Sequence, residues 1–263
     1  KEQVLEYLGG VEDVLDDMWP DLIMLQEVDV DSTRTYHIDE SAMLARSQSV
    51  HALNYSCGFV PYPLPPIGSV HSGLFTTTDY KIDSAERISL PSPFKWPVST
   101  ANLKRCLLVS YLPIDGSDKQ LVLVNLHLEA YDDGEGKIAQ TNQLRDFITS
   151  EYEKGNYVIA GGDFNQVFPG SLDIYPIIDP ELWAPGVLDE NLLPDGWTLA
   201  YDLDTPSCRL LNQPYDKDDE NTQHYVIDGF ILSPNVELTN VQTLGLDFGS
   251  SDHNPVFINV KLN

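Results

Sequence analysis

Residues 157–165 read Tyr-Val-Ile-Ala-Gly-Gly-Asp-Phe-Asn, a short apolar run that leads into a polar turn. The run Tyr157–Ala160 has the length and composition of a buried β-strand. Asp163 and Asn165 follow it and share a parity, so their side chains share a face if the extended backbone continues. An Asp in such a turn usually bonds its own backbone, so this stretch alone establishes a core strand and not a functional site.

The sequence on either side predicts many strands and few helices. Helical spacing is seen over 4–18, where Pro20 ends it, and is predicted again for Glu40 to Leu53 and for about Ile138 to Tyr152. Strands are predicted at Leu22–Leu25, Tyr55–Val60, Gly73–Thr78, Ile82–Leu90, Cys106–Tyr111, Leu121–His127, Tyr225–Leu232 and Val256–Val260. Interleaved in this way, they predict an α/β sandwich with two packed mixed β-sheets flanked by helices. No repeat or linker divides the chain, so residues 1–263 are predicted to form a single domain.

Composition excludes several classes of protein. Hydrophobic residues make up 42% of the 263 residues, which supports a sizeable core and excludes a disordered chain. No apolar stretch is long enough for a transmembrane helix. The three cysteines, Cys57, Cys106 and Cys208, form neither a zinc motif nor a disulfide framework. We therefore expect a monomer in a reducing, cytoplasmic compartment, although the chain reads as if it starts inside a longer protein.

The charge of the chain restricts its partners. Fifteen Lys and Arg against 41 Asp and Glu give a formal net charge of −26. Such a surface repels polyanions at long range, so the sequence predicts no stable coating of nucleic acid. A nuclease remains compatible with this charge, because a bound metal ion supplies positive charge where the phosphate lies.

Several apolar segments contain or end in polar side chains that are unusual in a strand unless something is bound there. The strand predicted at Leu22–Leu25 runs into Gln26 and Glu27, and the Tyr225–Leu232 segment contains Asp228. Most of these residues have an ordinary explanation when taken one at a time. Asp228 is the exception, because a carboxylate among apolar neighbours must be paired with a cation or bound to a metal or a histidine. The candidate site residues are Glu27, His127, Asp163, Asn165, Asp228, Asp252 and His253.

As a set, these residues supply the groups that hydrolysis of a phosphate ester requires. The reaction needs a hard cation held by oxygen ligands, a base for the attacking water and donors to the phosphoryl oxygens. Glu27 with Asp252 would hold Mg²⁺, or alternatively Mn²⁺. Asp228 would fix the tautomer of His253 and stabilise its protonated form.

The remaining three candidates suit the phosphate and the water. Asn165 and His127 would donate hydrogen bonds to non-bridging phosphate oxygens. Asp163 would position or deprotonate the attacking water.

Five short motifs give the chain a resemblance to a known superfamily. They are Leu-Gln-Glu-Val at 25–28, Asn-Leu-His-Leu at 125–128, Gly-Gly-Asp-Phe-Asn at 161–165, Ile-Asp-Gly-Phe at 227–230 and Ser-Asp-His-Asn-Pro at 251–255. Each motif is weak alone, but their order is typical of the endonuclease/exonuclease/phosphatase superfamily, which the chain resembles from Pro20 to Val260. This superfamily includes pancreatic deoxyribonuclease, neutral sphingomyelinases and tyrosyl-DNA phosphodiesterases. Within it the chain looks like a bacterial branch.

The resemblance implies a four-layered α/β sandwich whose site lies at one edge of the two sheets. It implies Mg²⁺-dependent hydrolysis of phosphodiester or phosphomonoester bonds in a small molecule, a lipid headgroup or a nucleic acid. Glu27 becomes a metal ligand, Asp252 lies beside the metal or the base, and His253 is the base or transition-state stabiliser. The resemblance makes Asp228 the partner of His253, Asp163 and Asn165 water- and phosphate-positioning groups, and His127 a phosphate contact or acid. It also implies a first strand ending in an Asn of the metal shell, which we expect to precede Lys1.

Three functions remain open from the sequence. The acidic surface favours a phosphodiesterase or phosphatase for a small or lipid-linked substrate. A nuclease or DNA-repair phosphodiesterase would use the same residues, but no basic or aromatic stripe supports it. A non-catalytic binding module on the same fold is disfavoured by the complete set of acid, base and metal groups.

Substrate selectivity is expected in the loops at 56–72, 92–104, 131–137 and 166–195. Lys104 and Arg105 are secondary candidates for a phosphate contact, although such a basic pair more often makes surface salt bridges. Trp96 and Tyr131 are secondary candidates for the pocket wall, with a core or rim position as the simpler interpretation.

Overall fold

The computed structural model describes residues 1–61, 64–94, 103–132 and 134–263; Trp96 lies outside them. The helices are α1 (Glu2–Met18), α2 (Glu40–Leu44), α3 (Glu135–Glu153) and α4 (Ser171–Ile174). The strands are β1 (Leu22–Asp29), β2 (Gln48–Val60), β3 (Gly68–Thr78), β4 (Ser84–Ser89), β5 (Cys106–Pro113), β6 (Gln120–His127), β7 (Tyr157–Asp163), β8 (Gln166–Val167), β9 (Gly186–Val187), β10 (Thr198–Ala200), β11 (Cys208–Arg209), β12 (His224–Tyr225), β13 (Asp228–Leu232), β14 (Val236–Thr243) and β15 (Val256–Leu262).

A six-stranded mixed sheet in the order β10-β13-β7-β6-β5-β4 forms the centre of the fold. Strands β6 and β7 are parallel, and the other neighbours are antiparallel. The two central strands are apolar because both of their faces are covered. Val122 and Val124 of β6 and Val158 and Ala160 of β7 are fully buried.

One face of this sheet packs against the remaining long strands. Strands β1, β3 and β2 form a three-stranded antiparallel sheet, and β14 pairs with β15. Both units pack on the same core, because Met24 of β1, Leu238 of β14 and Val260 of β15 surround Leu123 and Ile159 of the central sheet.

Helices cover the two outer faces of the sheets. Leu144 and Ile148 of α3 pack on the other side of the six-stranded sheet. Leu8 of α1 packs with Val28 and Phe75 on the outer side of the three-stranded sheet. The resulting order of layers is helix, sheet, sheet, helix, which confirms the α/β sandwich predicted from the sequence.

The helix predicted from Glu40 to Leu53 is wrong in its second half. Helix α2 ends at Leu44, and strand β2 begins at Gln48 and pairs with β3 from Gln48 opposite Thr78 onward. The backbone N–H of Arg46 donates to Thr77 Oγ1 at 2.8 Å between the two elements. Pairing along the length of β3 outweighs the local helical spacing, because strand formation depends on the neighbouring strand.

The strand predicted at Tyr225–Leu232 is also interrupted. Strand β12 ends at Tyr225 and β13 begins at Asp228, because the carbonyls of residues 226 and 227 accept hydrogen bonds from Phe168 and Phe164. Asp228 therefore lies at the end of a strand and not in its middle. Among the helices of the described residues, none combines the length and apolar composition that a transmembrane span requires.

Candidate active site

Three of the predicted site residues lie side by side because of strand register. His127 is paired with Asp163 across the parallel strands β6 and β7, and Asp163 is paired with Asp228 across β7 and β13. All three side chains are buried. Since β13 runs antiparallel to β7, its first residue meets the last residues of β6 and β7 at one edge of the sheet. The register thus places two carboxylates and an imidazole in a row.

The turn after β7 holds Asp163 and brings Asn165 beside it. Asp163 Oδ1 accepts a hydrogen bond from the backbone N–H of Asn165 at 2.7 Å, and Asn165 has a positive φ of 50°. Asn165 Nδ2 donates to the carbonyl of Leu128 at 2.9 Å and lies 3.3 Å from Asp163 Oδ2. At Gly162, with φ of 139°, a Cβ atom would lie 2.1 Å from the carbonyl oxygen of Leu126, so the turn requires glycine.

His253 reaches this row from the loop before β15. Its Nδ1 atom lies 2.8 Å from Asp228 Oδ2, and a β-bridge to Cys208 fixes its backbone. The same carboxylate oxygen accepts a hydrogen bond from Ser207 Oγ at 2.7 Å. Ser207 Oγ in turn accepts the backbone N–H groups of residues 227 and 228. Asp228 is therefore held in place by a fully buried hydroxyl and by the imidazole.

The pKa values of the row diverge from their ordinary values. Burial, together with the nearby Asp228 carboxylate, raises the pKa of Asp163 to about 7. Burial and the positive charge of Arg105 hold the pKa of His127 well below its ordinary value, so this imidazole is neutral at pH 7. Burial alone would lower the pKa of His253, but Asp228 outweighs it and raises the pKa well above its ordinary value.

Neutral His127 lies against Asp163. Its Nε2 atom is 3.3 Å from Asp163 Oδ2, and its buried Nδ1 atom has no hydrogen-bond partner among the described residues. A buried imidazole nitrogen without a partner is uncommon and marks a group that a ligand can satisfy.

Gln26, the residue before Glu27, is tied to the strand that carries His127. Gln26 Nε2 donates to Asn125 Oδ1 at 2.8 Å, which ties β1 to β6 two residues before His127. Glu27 itself has a positive φ of 57° and lies at the irregularity between Leu25 and Val28. Strained backbone at a non-glycine residue is often found at functional sites. The exposed Glu27 carboxylate makes no hydrogen bond or ion pair with other described residues.

Asp252 precedes His253 and is half-buried. Its backbone carbonyl accepts the N–H of Arg209 at 3.0 Å, whereas its carboxylate has no partner among the residues that the structure describes. The predicted metal ligands Glu27 and Asp252 are thus both available, but they do not belong to the most compact group of ligand atoms.

That compact group is Asp163, Asp228 and His253, whose ligand atoms lie within 4.8 Å of one another. Burial is the main reason that the pKa of Asp163 rises, and repulsion between the two close carboxylates adds to it. A divalent cation would neutralise them, and oxygen ligands suit Mg²⁺. By donor type this group therefore fits a divalent ion.

Sequence reasoning missed or undervalued three contributors. Ser207, which holds Asp228, lies in Pro206-Ser207-Cys208, where nothing in the pattern indicates a role. Asn125 lies two residues before His127 in the same strand, and its side chain ties the two sheets together. Arg105, predicted to favour a surface salt bridge, is instead buried, whereas its neighbour Lys104 is exposed. Tyr131 is 69% exposed and lies at the surface.

Comparison with known proteins gives a consistent picture of the fold. No family model and no curated protein matches the sequence. Among solved structures, an endonuclease/exonuclease/phosphatase protein from Beutenbergia cavernae superposes with a TM-score of 0.68 at 17% identity, covering 97% of this chain and 66% of that one. This chain therefore spans slightly less than two thirds of that protein.

Two animal proteins give similar superpositions. Truncated TDP2 from Caenorhabditis elegans matches with a TM-score of 0.60 at 18% identity over 96% of this chain and 89% of that one. The catalytic domain of human Nocturnin, which was solved with a bound sulfate anion, matches with a TM-score of 0.61 at 17% identity over 98% and 86%. These likenesses extend over nearly the whole chain, and the chain therefore has the endonuclease/exonuclease/phosphatase fold.

Proposed function

We propose that this protein is a divalent-metal-dependent phosphoesterase that hydrolyses phosphodiester or phosphomonoester bonds by attack of water on phosphorus. One observation carries the proposal: the His253–Asp228 pair lies beside a second buried carboxylate, Asp163, whose pKa is raised to about 7. Neighbouring titratable groups with divergent pKa values are characteristic of acid–base sites. Their position at one sheet edge of a fold shared with hydrolytic proteins supports the same reaction.

The metal would be held by Glu27 with Asp252, next to the carboxylates of the compact group. Mg²⁺ keeps several waters and often takes only one or two carboxylates, so this set is sufficient. When bound, the cation neutralises charge on the phosphoryl oxygens. Mg²⁺ is the expected ion, and Mn²⁺, which takes similar ligands, is the alternative.

The protein side chains divide the proton chemistry between them. Because Nδ1 of His253 faces Asp228, its Nε2 is the nitrogen that serves the reacting oxygens, and the raised pKa keeps it protonated as a donor. Asp163, with a pKa of about 7, is suited to accept a proton from the attacking water near neutral pH. Neutral His127, whose buried Nδ1 atom has no partner in the described residues, would contact a phosphoryl oxygen. The amide of Asn165 already donates to Leu128 and Asp163, so its part would be to position Asp163.

A nuclease or repair phosphodiesterase is the second candidate. TDP2 from D. rerio, which matches with a TM-score of 0.57 at 18% identity, was solved in complex with a single-strand DNA product. The net charge of −26 argues against DNA as the substrate, because it repels a long polyanion and favours a small or lipid-linked ester. A binding module without catalysis would give no role to the His253–Asp228 pair or to the shifted pKa values of Asp163 and His253.

A substrate screen tests the proposal. Bis-p-nitrophenyl phosphate, p-nitrophenyl phosphate, DNA, sphingomyelin and inositol phosphates would each be incubated with the wild-type protein in Mg²⁺, in Mn²⁺ and in EDTA. The His253→Ala variant serves as the inactive reference. We expect metal-dependent release of product from at least one ester class. If the folded protein hydrolyses none of these esters in either Mg²⁺ or Mn²⁺, the phosphoesterase assignment is rejected.

A further inference from the structure

Arg105 is a buried cation that the mechanism above does not use. It directly precedes β5, and its carbonyl accepts the N–H of Leu90 at 2.9 Å. Two residues later Leu107 pairs with Leu126, the residue before His127. The start of β5 therefore lies alongside the end of β6 that carries the site, and only 3% of Arg105 is exposed.

The guanidinium of Arg105 is poorly satisfied by the protein. Its buried Nε and Nη1 atoms have no hydrogen-bond partner in the described part of the chain. The nearest carboxylate, Glu129, has its Oε2 atom 3.9 Å from Nε, which is too long for a hydrogen bond. Glu129 Oε1 already accepts the backbone N–H groups of Ala130 and Tyr131. Burial of a charge without hydrogen bonds is costly, so a ligand that accepts hydrogen bonds from these two atoms would stabilise the guanidinium.

The surroundings of Arg105 indicate which ligand would complete it. Glu129 attracts the guanidinium most strongly, followed by the carboxylates of Asp163 and Glu27. The positive charge of Arg105 also contributes to the lowered pKa of His127. The guanidinium therefore lies within electrostatic range of both ends of the candidate active site. In a protein with a net charge of −26, a buried cation there makes the site locally attractive to an anion.

We propose that Arg105 is the phosphate anchor of the active site and donates a guanidinium N–H that has no partner in the described residues, from Nε or Nη1, to an oxygen of the substrate phosphoryl group. This inference rests on the proposed function and extends it to the recognition of the substrate. The Nε–H and Nη1–H groups lie on different sides of the planar guanidinium, so one of them would donate to a non-bridging oxygen while the positive charge attracts the phosphate as a whole. The substrate class is therefore a phosphate mono- or diester, both of which retain negatively charged non-bridging oxygens. A phosphotriester, which has lost them, should be excluded.

Binding of inorganic phosphate tests the anchor directly and does not require turnover. Isothermal titration calorimetry in Mg²⁺ at pH 7 would compare wild type with Arg105→Gln, Arg105→Lys, Glu129→Gln and Arg145→Gln. Arg145 lies on α3, pairs with Asp146 and provides the same change of charge at the surface. We expect roughly 10- to 100-fold weaker phosphate binding for Arg105→Gln, the range for a charged hydrogen-bonded group. The phosphate affinity of Arg105→Lys should lie between those of wild type and Arg105→Gln, since an ammonium keeps the charge but places its donors differently.

The control variants Glu129→Gln and Arg145→Gln separate a phosphate anchor from a structural role of Arg105. If Arg105 only neutralises Glu129, then Glu129→Gln will weaken phosphate binding as much as Arg105→Gln does, which overturns the proposal. Equal binding by Arg105→Gln and wild type, or no phosphate binding by wild type, also overturns it. If binding depends on Arg105 but no ester is hydrolysed by wild type, the anchor stands and the phosphoesterase assignment fails.

A measurement on the unmodified protein covers the case in which Arg105→Gln does not fold. The chain contains six arginines, so a ¹⁵N spectrum of arginine Nε–H groups is simple enough to assign by Arg105→Lys. Inorganic phosphate should shift the Arg105 signal and leave that of Arg145 unchanged. An Arg105 signal that does not move at saturating phosphate would reject the contact.

Discussion

His253 Nδ1 lies 2.8 Å from Asp228 Oδ2, and the same carboxylate oxygen accepts a hydrogen bond from Ser207 Oγ at 2.7 Å. The contact with Asp228 therefore fixes the orientation of the imidazole, while 31% of the His253 side chain remains exposed. A pair with this geometry works as one unit, since the carboxylate both sets the tautomer and stabilises the protonated ring.

The first prediction concerns that unit. His253→Ala should reduce kcat by several orders of magnitude, and Asp228→Asn somewhat less, because acid–base assistance is typically worth ~10²–10⁴-fold. The loss in the double variant should be far smaller than the product of the single losses. Steady-state kinetics of all four proteins give the comparison, with circular dichroism to verify folding. Multiplicative losses would show that the two residues act independently.

The second prediction concerns Glu27. Glu27→Gln should raise the Mg²⁺ concentration needed for half-maximal activity, because an amide is a poorer ligand for a hard cation. Loss of even an outer-shell partner typically costs about 10–100-fold in metal affinity, so an effect of this size is expected. Glu237→Gln, at an exposed position of β14, is the control for the change of charge. Metal titrations that coincide for wild type and Glu27→Gln would remove Glu27 from the metal site.

The third prediction concerns the pH dependence of stability without metal. Burial raises the pKa of Asp163 to about 7, so the folded protein holds a proton that the unfolded chain releases near pH 4. The unfolding free energy of the wild type in EDTA should therefore fall as pH rises from about 4 to 7.

Asp163→Asn removes this titration and should be more stable than wild type at pH 8, with the difference shrinking towards pH 4. The shift from 3.8 to about 7 sets an upper bound of about 4 kcal/mol. The raised pKa of His253 acts with the same sign at higher pH, since its stabilising contribution is complete below about pH 6.5 and is lost as pH rises. Urea unfolding at several pH values gives the result. Parallel curves for the two proteins would contradict the assignment.

The fourth prediction concerns Asn125, which joins the two sheets. Its side chain is fully buried, accepts from Gln26 and donates to the carbonyls of Leu25 and Phe75 at 3.1 and 3.0 Å. Asn125→Ala should cost about 2–4 kcal/mol in unfolding free energy, because several buried polar groups lose their partners. It should also lower activity, since Gln26 adjoins Glu27. Asn191→Ala, at an exposed loop position, should change stability by less than about 0.5 kcal/mol.

Much of the fold was predictable because its central strands are buried on both faces. Leu121–His127 and Tyr157–Ala160 are short, largely apolar runs. A run of this length that is bounded by turn residues is typical of a buried strand. The segment 48–53 was not predictable, since its strand depends on pairing with β3, more than twenty residues later in the chain. Strand β14 was missed as well, because half of its residues face solvent and leave no apolar run.

The site was predictable to the extent that its residues end strands. His127, Asp163 and Asp228 stand at strand ends, and register brings them together. The role of Ser207 could not be predicted, because a hydroxyl in a loop has no periodicity and its partner is set by tertiary packing. Arg105 was a secondary candidate for a phosphate contact, but its burial could not be predicted from the sequence. Glu27 and Asp252 as metal ligands remain a prediction.

The central claim is that this site hydrolyses phosphate esters with a divalent cation and His253. The most direct measurement is release of p-nitrophenol from bis-p-nitrophenyl phosphate by wild type in EDTA, after addition of Mg²⁺, and by His253→Ala under the same conditions. Wild type should be inactive in EDTA and regain turnover with Mg²⁺, whereas the turnover of His253→Ala in Mg²⁺ should be lower than that of wild type by several orders of magnitude. Undiminished turnover in EDTA, or a wild-type rate for His253→Ala, would contradict the account.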